Sequence, residues 1–112
     1  MDRFSVDVRE HAPARFVVAI SGELDLPEGD GFLARLAPLI SPGALVVLDA
    51  SDLVFMDSTG LRILLHAVAR AADEGARFRL AAPQPAVRRV FELSGTEDLI
   101  EIYDDMSAAL AG

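Results

Sequence analysis

Two segments near the start of the chain have residue patterns that are typical of strands. Phe4–Val8 alternates strictly, and Arg15–Ile20 resumes a strand pattern after an interruption at His11–Ala14 that contains Pro13. Such alternation is typical of strands that have one face in a core and the other in water. We therefore predict a β-hairpin at the start of the domain.

Three further strands are predicted along the chain. Ala44–Leu48 is a continuous aliphatic run after Pro42 and Gly43, which is typical of a strand that is covered on both faces in the middle of a sheet. Arg77–Leu80 alternates again, and Leu99–Tyr103 supplies a last short strand. The pattern thus predicts about five strands.

Helical periodicity fills the segments between these strands. The clearest helix follows Gly60, because apolar residues recur there at spacings of three and four before Gly75 stops the pattern. The apolar stripe consists of Leu61, Leu64, Leu65, Val68 and Ala72. Another helix is predicted between Pro85, in its first turn, and Gly95, just past its end.

Two shorter helices complete the pattern. One should cover Phe32, Leu33 and Leu36, with an extension to Leu39–Ile40 left open, although prolines and glycines disfavour helix around it: Pro27, Gly29, Gly31 and Pro38. A tail helix is predicted over Ser107–Ala111, with Asp104–Asp105 as its cap. The element order is then β-β-α-β-α-β-α-β-α. This order predicts an α/β fold with a mixed, mostly parallel sheet of about five strands and about four helices.

The composition fits one globular domain, 1–112, that stays in the cytoplasm. Hydrophobic residues make up 52% of the chain and charged residues 25%, which is too apolar for a disordered regulator. No apolar run reaches the roughly 20 residues that cross a bilayer, and Met1–Phe4 lacks the apolar stretch of a signal peptide. We therefore expect no membrane contact. The absence of cysteine excludes disulfides, thiolate metal sites and cysteine nucleophiles.

The chain is acidic, with a net charge of -8, and all ten of its basic residues are arginine. This balance disfavours nucleic acid, because phosphate contacts need a concentrated basic surface. Six arginines lie between Arg62 and Arg89, whereas Glu97–Asp105 contains five acids and no base. Such a patchwork suits a protein partner, and solvated faces give the same pattern. We expect the free protein to be a monomer.

The most informative segment leads from the buried strand into the clearest helix. Asp57, Ser58, Thr59 and Gly60 stand together at the start of that helix. Asp57 or Ser58 can cap the helix by accepting a hydrogen bond from its free amides, and capping alone explains the polar residues. A hydroxyl at this place can also be phosphorylated without breaking the fold, because the positive end of a helix tolerates an anion.

Three motifs resemble those of one family, the STAS-domain anti-sigma factor antagonists, or anti-anti-sigma factors. Asp52–Leu61 resembles the phosphorylation motif of that family, in which Asp-Ser-Ser/Thr-Gly-Leu opens a helix. Gly22–Asp25 resembles the signature at the end of its second strand, and Pro85–Gly95 resembles its third helix. The motifs occur in family order, and the resemblance spans roughly Phe4–Leu110. Leu26–Gly31 is richer in proline and glycine than the family's usual first helix.

The resemblance implies a non-enzymatic partner-switching protein of bacteria. Its unphosphorylated form would bind an anti-sigma factor that is also a serine kinase, and would so release a sigma factor for transcription. The kinase would phosphorylate Ser58 and dissociate the complex, and a serine phosphatase would reset it. The partner-binding residues that we expect by this resemblance are Asp25, Asp57, Ser58, Thr59, Gly60 and Arg62.

Two enzymatic or cofactor-binding alternatives fit the residues less well. A serine hydrolase needs a base beside Ser58, but His66 lies eight residues further on, about 12 Å along a helix. Gly29–Ala34 fits the dinucleotide pattern G-x-G-x-x-A, and Asp49 follows at a suitable distance. However, that motif turns directly out of its strand, and the predicted strand ends near Ser21.

No metal or cofactor is expected, because His11 and His66 fall on different elements and no acidic cluster has ligand spacing. The phenylalanines fall one to each of six segments and are expected in the core. They are Phe4, Phe16, Phe32, Phe55, Phe78 and Phe91. The remaining alternative keeps the fold without the switch: a STAS-like scaffold or accessory subunit of a signalling complex or a membrane transporter.

Overall fold

Five strands form one mixed sheet in the computed structural model, which describes residues 4–111 and, for residues 26–28, the backbone only. The sheet order is β1-β2-β3-β4-β5. The strands are β1 (Phe4–Ala12), β2 (Arg15–Leu24), β3 (Leu45–Met56), β4 (Arg77–Ala81) and β5 (Glu101–Tyr103). β1 is antiparallel to β2, as the hairpin prediction requires, and the other neighbouring pairs are parallel.

Within residues 4–111, four α-helices connect the strands or follow them, in the order that the sequence predicts. They are α1 (Leu26–Leu36), α2 (Ser58–Glu74), α3 (Pro85–Ser94) and α4 (Met106–Leu110), and short 3-10 turns cover Ala37–Leu39 and Glu97–Leu99. α2 and α3 end where the glycines predict, because Gly75 and Gly95 adopt the left-handed conformation with φ of 77° and 73°. The α/β architecture is therefore confirmed.

β3 is the central strand, and its first four residues are buried on both faces. Val46 and Leu48 belong to the main core, which α1, α2 and α3 also line. Leu45 and Val47 face the other side of the sheet, where they pack in a smaller cluster with Ala109 of α4. The aliphatic run predicted this two-sided burial correctly.

β2 and β3 extend further than the sequence predicted. The predicted ends lay near Ser21 and Leu48, whereas the strands continue to Leu24 and Met56. β4 accompanies β3 only as far as the pairing of Ala81 with Asp49, so the last part of β3 has β2 alone as a neighbour. One face of this part still contributes Leu53 and Met56 to the main core, whereas Ser51 and Asp52 are exposed. These exposed polar residues made the segment resemble a loop.

α1 begins at Leu26, earlier than the predicted start at Phe32, and it includes Gly29 and Gly31, which disfavour helix in the sequence. It ends at Leu36, and a 3-10 turn over Ala37–Leu39 takes the place of the extension to Leu39–Ile40. Pro27 falls in the first turn, where its missing amide costs no helical hydrogen bond. Gly29 packs against the side chain of Ile63 in α2, so that any larger residue would meet Ile63. The close contact between α1 and α2 therefore explains Gly29, which in the sequence fits a dinucleotide-binding pattern.

Candidate functional site

Ser58 is the first residue of α2, and its side chain is exposed. Asp57 precedes it in extended conformation at the N-cap position, with φ of -99° and ψ of -171°. Its Oδ1 atom accepts a hydrogen bond from the Gly60 amide at 2.9 Å. Asp57 is thus the cap, and the Ser58 hydroxyl makes no hydrogen bond within residues 4–111. The hydroxyl therefore faces solvent and is available to a second molecule.

The charges around Ser58 come from the helix itself and from Asp57. The N-terminus of a helix carries a partial positive charge, and the first turn of α2 contains no acidic residue. An anion at Ser58 would meet this favourable field, opposed chiefly by the Asp57 carboxylate. The position can therefore accept a phosphate without local unfolding.

Gly60 is required by its close contact with the end of β2. A Cβ atom at this position would lie 2.6 Å from the carbonyl oxygen of Leu24 and 2.7 Å from Cγ of Met56. The first contact is with backbone, which cannot move aside as the end of a flexible side chain can. The glycine thus lets the first turn of α2 lie directly against the ends of β2 and β3.

Asp25 lies at the same edge of the sheet as Asp57. Leu24 and Met56 are register partners in the parallel pair of β2 and β3, and each aspartate directly follows one of them. Asp25 is the N-cap residue of α1, in extended conformation with φ of -139° and ψ of -177°. The structure therefore brings the starts of α1 and α2 side by side.

The other two predicted partner-binding residues lie on α2. Thr59 is half-buried, so it is less accessible than Ser58. Arg62 is exposed one turn after Ser58 and shares its face of the helix, because residues four apart are neighbours on a helix surface. Arg62 forms no ion pair with any part of the chain that the structure describes.

Two exposed apolar residues near Ser58 were missed by sequence reasoning. Val54 is 54% exposed and Phe55 is 47% exposed, so the prediction of Phe55 in the core is wrong. Gly22 pairs with Leu53 and Glu23 pairs with Phe55, which leaves Val54 as an extra residue in β3. A bulge of this kind interrupts strict alternation and turns both side chains outward.

We call Val54, Phe55, Ser58 and Arg62 the switch surface. Its apolar pair could have been suspected from Leu53–Met56, because a strand that alternates cannot bury four consecutive apolar residues on one core face. Exposed apolar residues next to polar and charged ones are typical of protein-binding surfaces. The arrangement suits docking of a partner rather than acid-base chemistry.

Features suited to small ligands lie elsewhere or are absent from residues 4–111. A groove of about 200 Å³ between α1 and α2 is lined by residues that include Leu33, Ile40, His66 and Arg70, but not by Ser58. Among the side chains that the structure describes, no group of three or more His, Cys, Asp or Glu could hold a metal ion. In that part of the chain, no helix is both long and apolar enough to cross a membrane.

Comparison with known proteins gives a consistent set of relatives. The family described as "Mlab, STAS domain" matches residues 8–101. The anti-sigma F factor antagonist of Paenibacillus polymyxa is 30% identical over 103 residues, which cover 90% of this chain and 88% of that protein. The anti-sigma-B factor antagonist of Bacillus subtilis is 29% identical over 98 residues, covering 88% of this chain and 89% of that protein.

Solved structures give the same result for the fold. An anti-sigma factor antagonist from Mycobacterium paratuberculosis has a TM-score of 0.83 at 28% identity, over 96% of this chain and 91% of that one. The anti-sigma factor antagonist SpoIIAA in its unphosphorylated form has a TM-score of 0.75 at 25% identity, over 93% and 92%. The murine anion transporter Slc26a9 is alike in fold alone, with a TM-score of 0.76 at 14% identity, over 98% of this chain and 22% of the transporter.

Proposed function

The chain belongs to the STAS domain family, and from this premise we propose that it is an anti-sigma factor antagonist controlled by phosphorylation of Ser58. The unphosphorylated form binds an anti-sigma factor that is also a serine kinase, and so releases a sigma factor. Phosphorylation of Ser58 dissociates the complex, and a serine phosphatase restores the binding form.

The observation that carries this proposal is the exposed hydroxyl of Ser58 at the start of α2. Because Asp57 caps the helix, Ser58 has no structural hydrogen bond to lose when it is modified. A kinase can reach an exposed side chain, and the helix N-terminus accommodates the charge that phosphorylation adds. The modification is therefore felt by a docked partner rather than by the fold.

The names of the relatives support the same role. Two similar proteins, which this chain matches over most of their length, are named antagonists of anti-sigma B and anti-sigma F factors. SpoIIAA, which shares the fold at 25% identity, is described in its unphosphorylated form, and a SpoIIAA structure in the phosphorylated form is also similar in fold.

The switch surface supplies a physical basis for binding and release. Val54 and Phe55 provide apolar area for the partner, and Arg62 provides an unpaired cation at the edge of the contact. Phosphate adds about -1.5 to -2 charges at Ser58, beside the Asp57 carboxylate. Close contact between like charges costs several kcal/mol, which is enough to separate the proteins.

Two experiments test the proposal. The protein is incubated with ATP and the candidate anti-sigma kinases of its own genome, and the phosphate is located by mass spectrometry. Ser58→Ala should abolish labelling and retain binding, whereas Ser58→Glu should weaken binding by at least about tenfold. Ser107→Glu is the matched control, because Ser107 is also exposed in the first turn of a helix but lies on α4. Labelling at another residue, or equal binding by Ser58→Glu, would contradict the proposal.

A scaffold role is the second candidate, favoured by the fold that the chain shares with part of the Slc26a9 transporter. A scaffold would bind its partner equally well with Ser58, Ser58→Ala or Ser58→Glu. The same binding series therefore separates the two functions.

A further inference from the structure

The outer edge of β1 is open. β1 lies at one end of the sheet and pairs only with β2, so its nine residues have no strand on the other side among residues 4–111. The opposite end of the sheet is β5, which has three residues. An unpaired strand edge presents a row of backbone donors and acceptors to which another strand can bind. β1 is the longer of these two edges.

Charges of alternating sign lie along this open strand. Asp7 and Arg9 are both exposed, on the face of β1 that points away from the main core. Their register partners in β2 are Ala19 and Val17, which carry no charge. Neither charged residue forms an ion pair in the described part of the chain. If both charges had the same sign, they would repel a second copy of β1. Because Asp7 is negative and Arg9 is positive, each can lie opposite a residue of the other sign.

A second copy of β1 neutralises both charges in only one register. Two copies of a strand pair antiparallel about a two-fold axis that is perpendicular to the sheet. Residues that lie opposite each other then have their side chains on the same face of the sheet. The axis is therefore level with one residue, which lies opposite its own copy. An axis at Asp7 places Asp7 against Asp7, and an axis at Arg9 places Arg9 against Arg9. An axis at Val6 places Asp7 opposite Ser5, and it gives Arg9 no partner within β1, which begins at Phe4. An axis at Val8 places each Asp7 opposite Arg9 of the second copy.

We propose that the protein forms a symmetric dimer through β1, with the two-fold axis at Val8 and two Asp7–Arg9 ion pairs between the copies. The two five-stranded sheets then become one continuous sheet. The assembly closes as a dimer because the symmetric contact consumes both β1 edges and leaves only the short β5 edges. The proposal departs from the monomer expected from the sequence, and it does not depend on phosphorylation of Ser58.

The contact is a single strand pair, so the dimer is expected to be weak and to form in a concentration-dependent manner. Sedimentation velocity over a series of concentrations measures this equilibrium. Asp7→Arg and Arg9→Asp should each weaken self-association by at least about tenfold, because each places two pairs of like charges directly opposite one another.

Mixing the two single variants provides the decisive measurement. An Asp7→Arg copy facing an Arg9→Asp copy has opposite charges at both contacts, so the mixture should form a heterodimer about as stable as the parent dimer. The double variant that carries both changes should also dimerise like the parent. Asp98→Arg and Arg89→Asp are matched controls, because they make the same charge changes at exposed positions away from β1. Both controls should dimerise like the parent.

Three results would overturn the proposal. They are a parent protein that stays monomeric at every concentration, single variants that self-associate as the parent does, and a mixture that stays monomeric. Circular dichroism of each single variant establishes that it is folded, so that loss of dimer cannot be attributed to unfolding.

Discussion

At the scale of single residues, Asp57, Ser58 and Gly60 have different roles at the start of α2. Asp57 satisfies the Gly60 amide, which leaves Ser58 exposed and without a structural role in the cap. Gly60 permits the close approach of α2 to the carbonyl oxygen of Leu24. The position of the Ser58 hydroxyl is therefore fixed by its neighbours, and the hydroxyl contributes little to the stability of its own helix.

Gly60→Ala should destabilise the protein by about 1–3 kcal/mol, because the added methyl group would overlap the backbone of Leu24. The free energy of unfolding is measured by urea denaturation. Gly31→Ala in α1 is the control, since a Cβ atom there meets nothing within 4 Å. That change should stabilise the protein by about 0.5–1 kcal/mol, as alanine favours helix. A stable Gly60→Ala protein would show that the contact with Leu24 relaxes readily.

At the scale of elements, α4 is held to the sheet by two buried or half-buried arginines. Arg79 in β4 donates hydrogen bonds from Nη1 to the carbonyl oxygens of Ala109 and Ala111, at 2.8 and 2.9 Å. Arg15 in β2 donates to the carbonyl oxygen of Leu110 at 2.6 Å. These cations satisfy the free carbonyls at the C-terminal end of a helix that has only five residues. α4 in turn covers Leu45 and its neighbours in the smaller cluster.

Arg79→Ala should cost about 2–3 kcal/mol of stability, because it leaves buried carbonyls of α4 without a donor. Hydrogen exchange should also quicken selectively at the amides of α4. Arg77→Ala is the matched control. Both Arg79 and Arg77 lie on β4 and pair with Glu101 at 3.5 Å, but the side chain of Arg77 is 56% exposed. The control should change stability by less than about 0.5 kcal/mol. Equal losses of stability from the two changes would contradict the conclusion that Arg79 holds α4 against the sheet.

The end of β3 is the second element on which the proposed function depends. Phe55→Ser should weaken binding of the proposed anti-sigma partner by at least about tenfold, because exposed aromatic residues dominate such contacts. Stability should fall by no more than about 1 kcal/mol, since Phe55 is half exposed already.

Leu93→Ser is the control for Phe55→Ser. Leu93 is 75% exposed on α3 and lies outside the switch surface, so its loss should leave partner binding unchanged in a calorimetric titration. Equal binding by Phe55→Ser and the parent would remove Val54 and Phe55 from the proposed contact.

At the scale of the whole molecule, the core and the switch surface occupy separate regions. The main core lies between one face of the sheet and α1, α2 and α3. Ser58 lies outside it, at the edge where β3 ends and α2 begins. A change of charge at this edge can alter binding while the packed interior stays as it is.

Ser58→Glu should therefore leave the free energy of unfolding within about 1 kcal/mol of the parent value, because the helix field and the Asp57 carboxylate act in opposite directions. Urea denaturation measures this, and amide chemical shifts should change only near the start of α2. Shifts spread through the main core would indicate that the charge acts by rearranging the fold.

The sequence by itself determined the architecture and the place of the candidate site. Continuous and alternating apolar runs specify strands, and the run at Ala44–Leu48 predicted burial on both faces of a central strand correctly. Gly75 and Gly95 marked the ends of two helices, because left-handed backbone favours glycine. Asp57 and Ser58 identified the start of α2, since polar residues at a helix N-terminus follow from local hydrogen bonding alone.

Only the tertiary structure decided which residues face solvent at that site. Val54 and Phe55 resemble core residues in the sequence, but a bulge in β3 and the early end of β4 leave them exposed. Gly29 fits a dinucleotide-binding pattern in the sequence, but in the structure it lies against the side chain of Ile63 in α2. Local patterns depend on neighbours along the chain, whereas exposure depends on which distant segments pack against a residue. Those long-range contacts are fixed only when the whole sheet and its helices assemble.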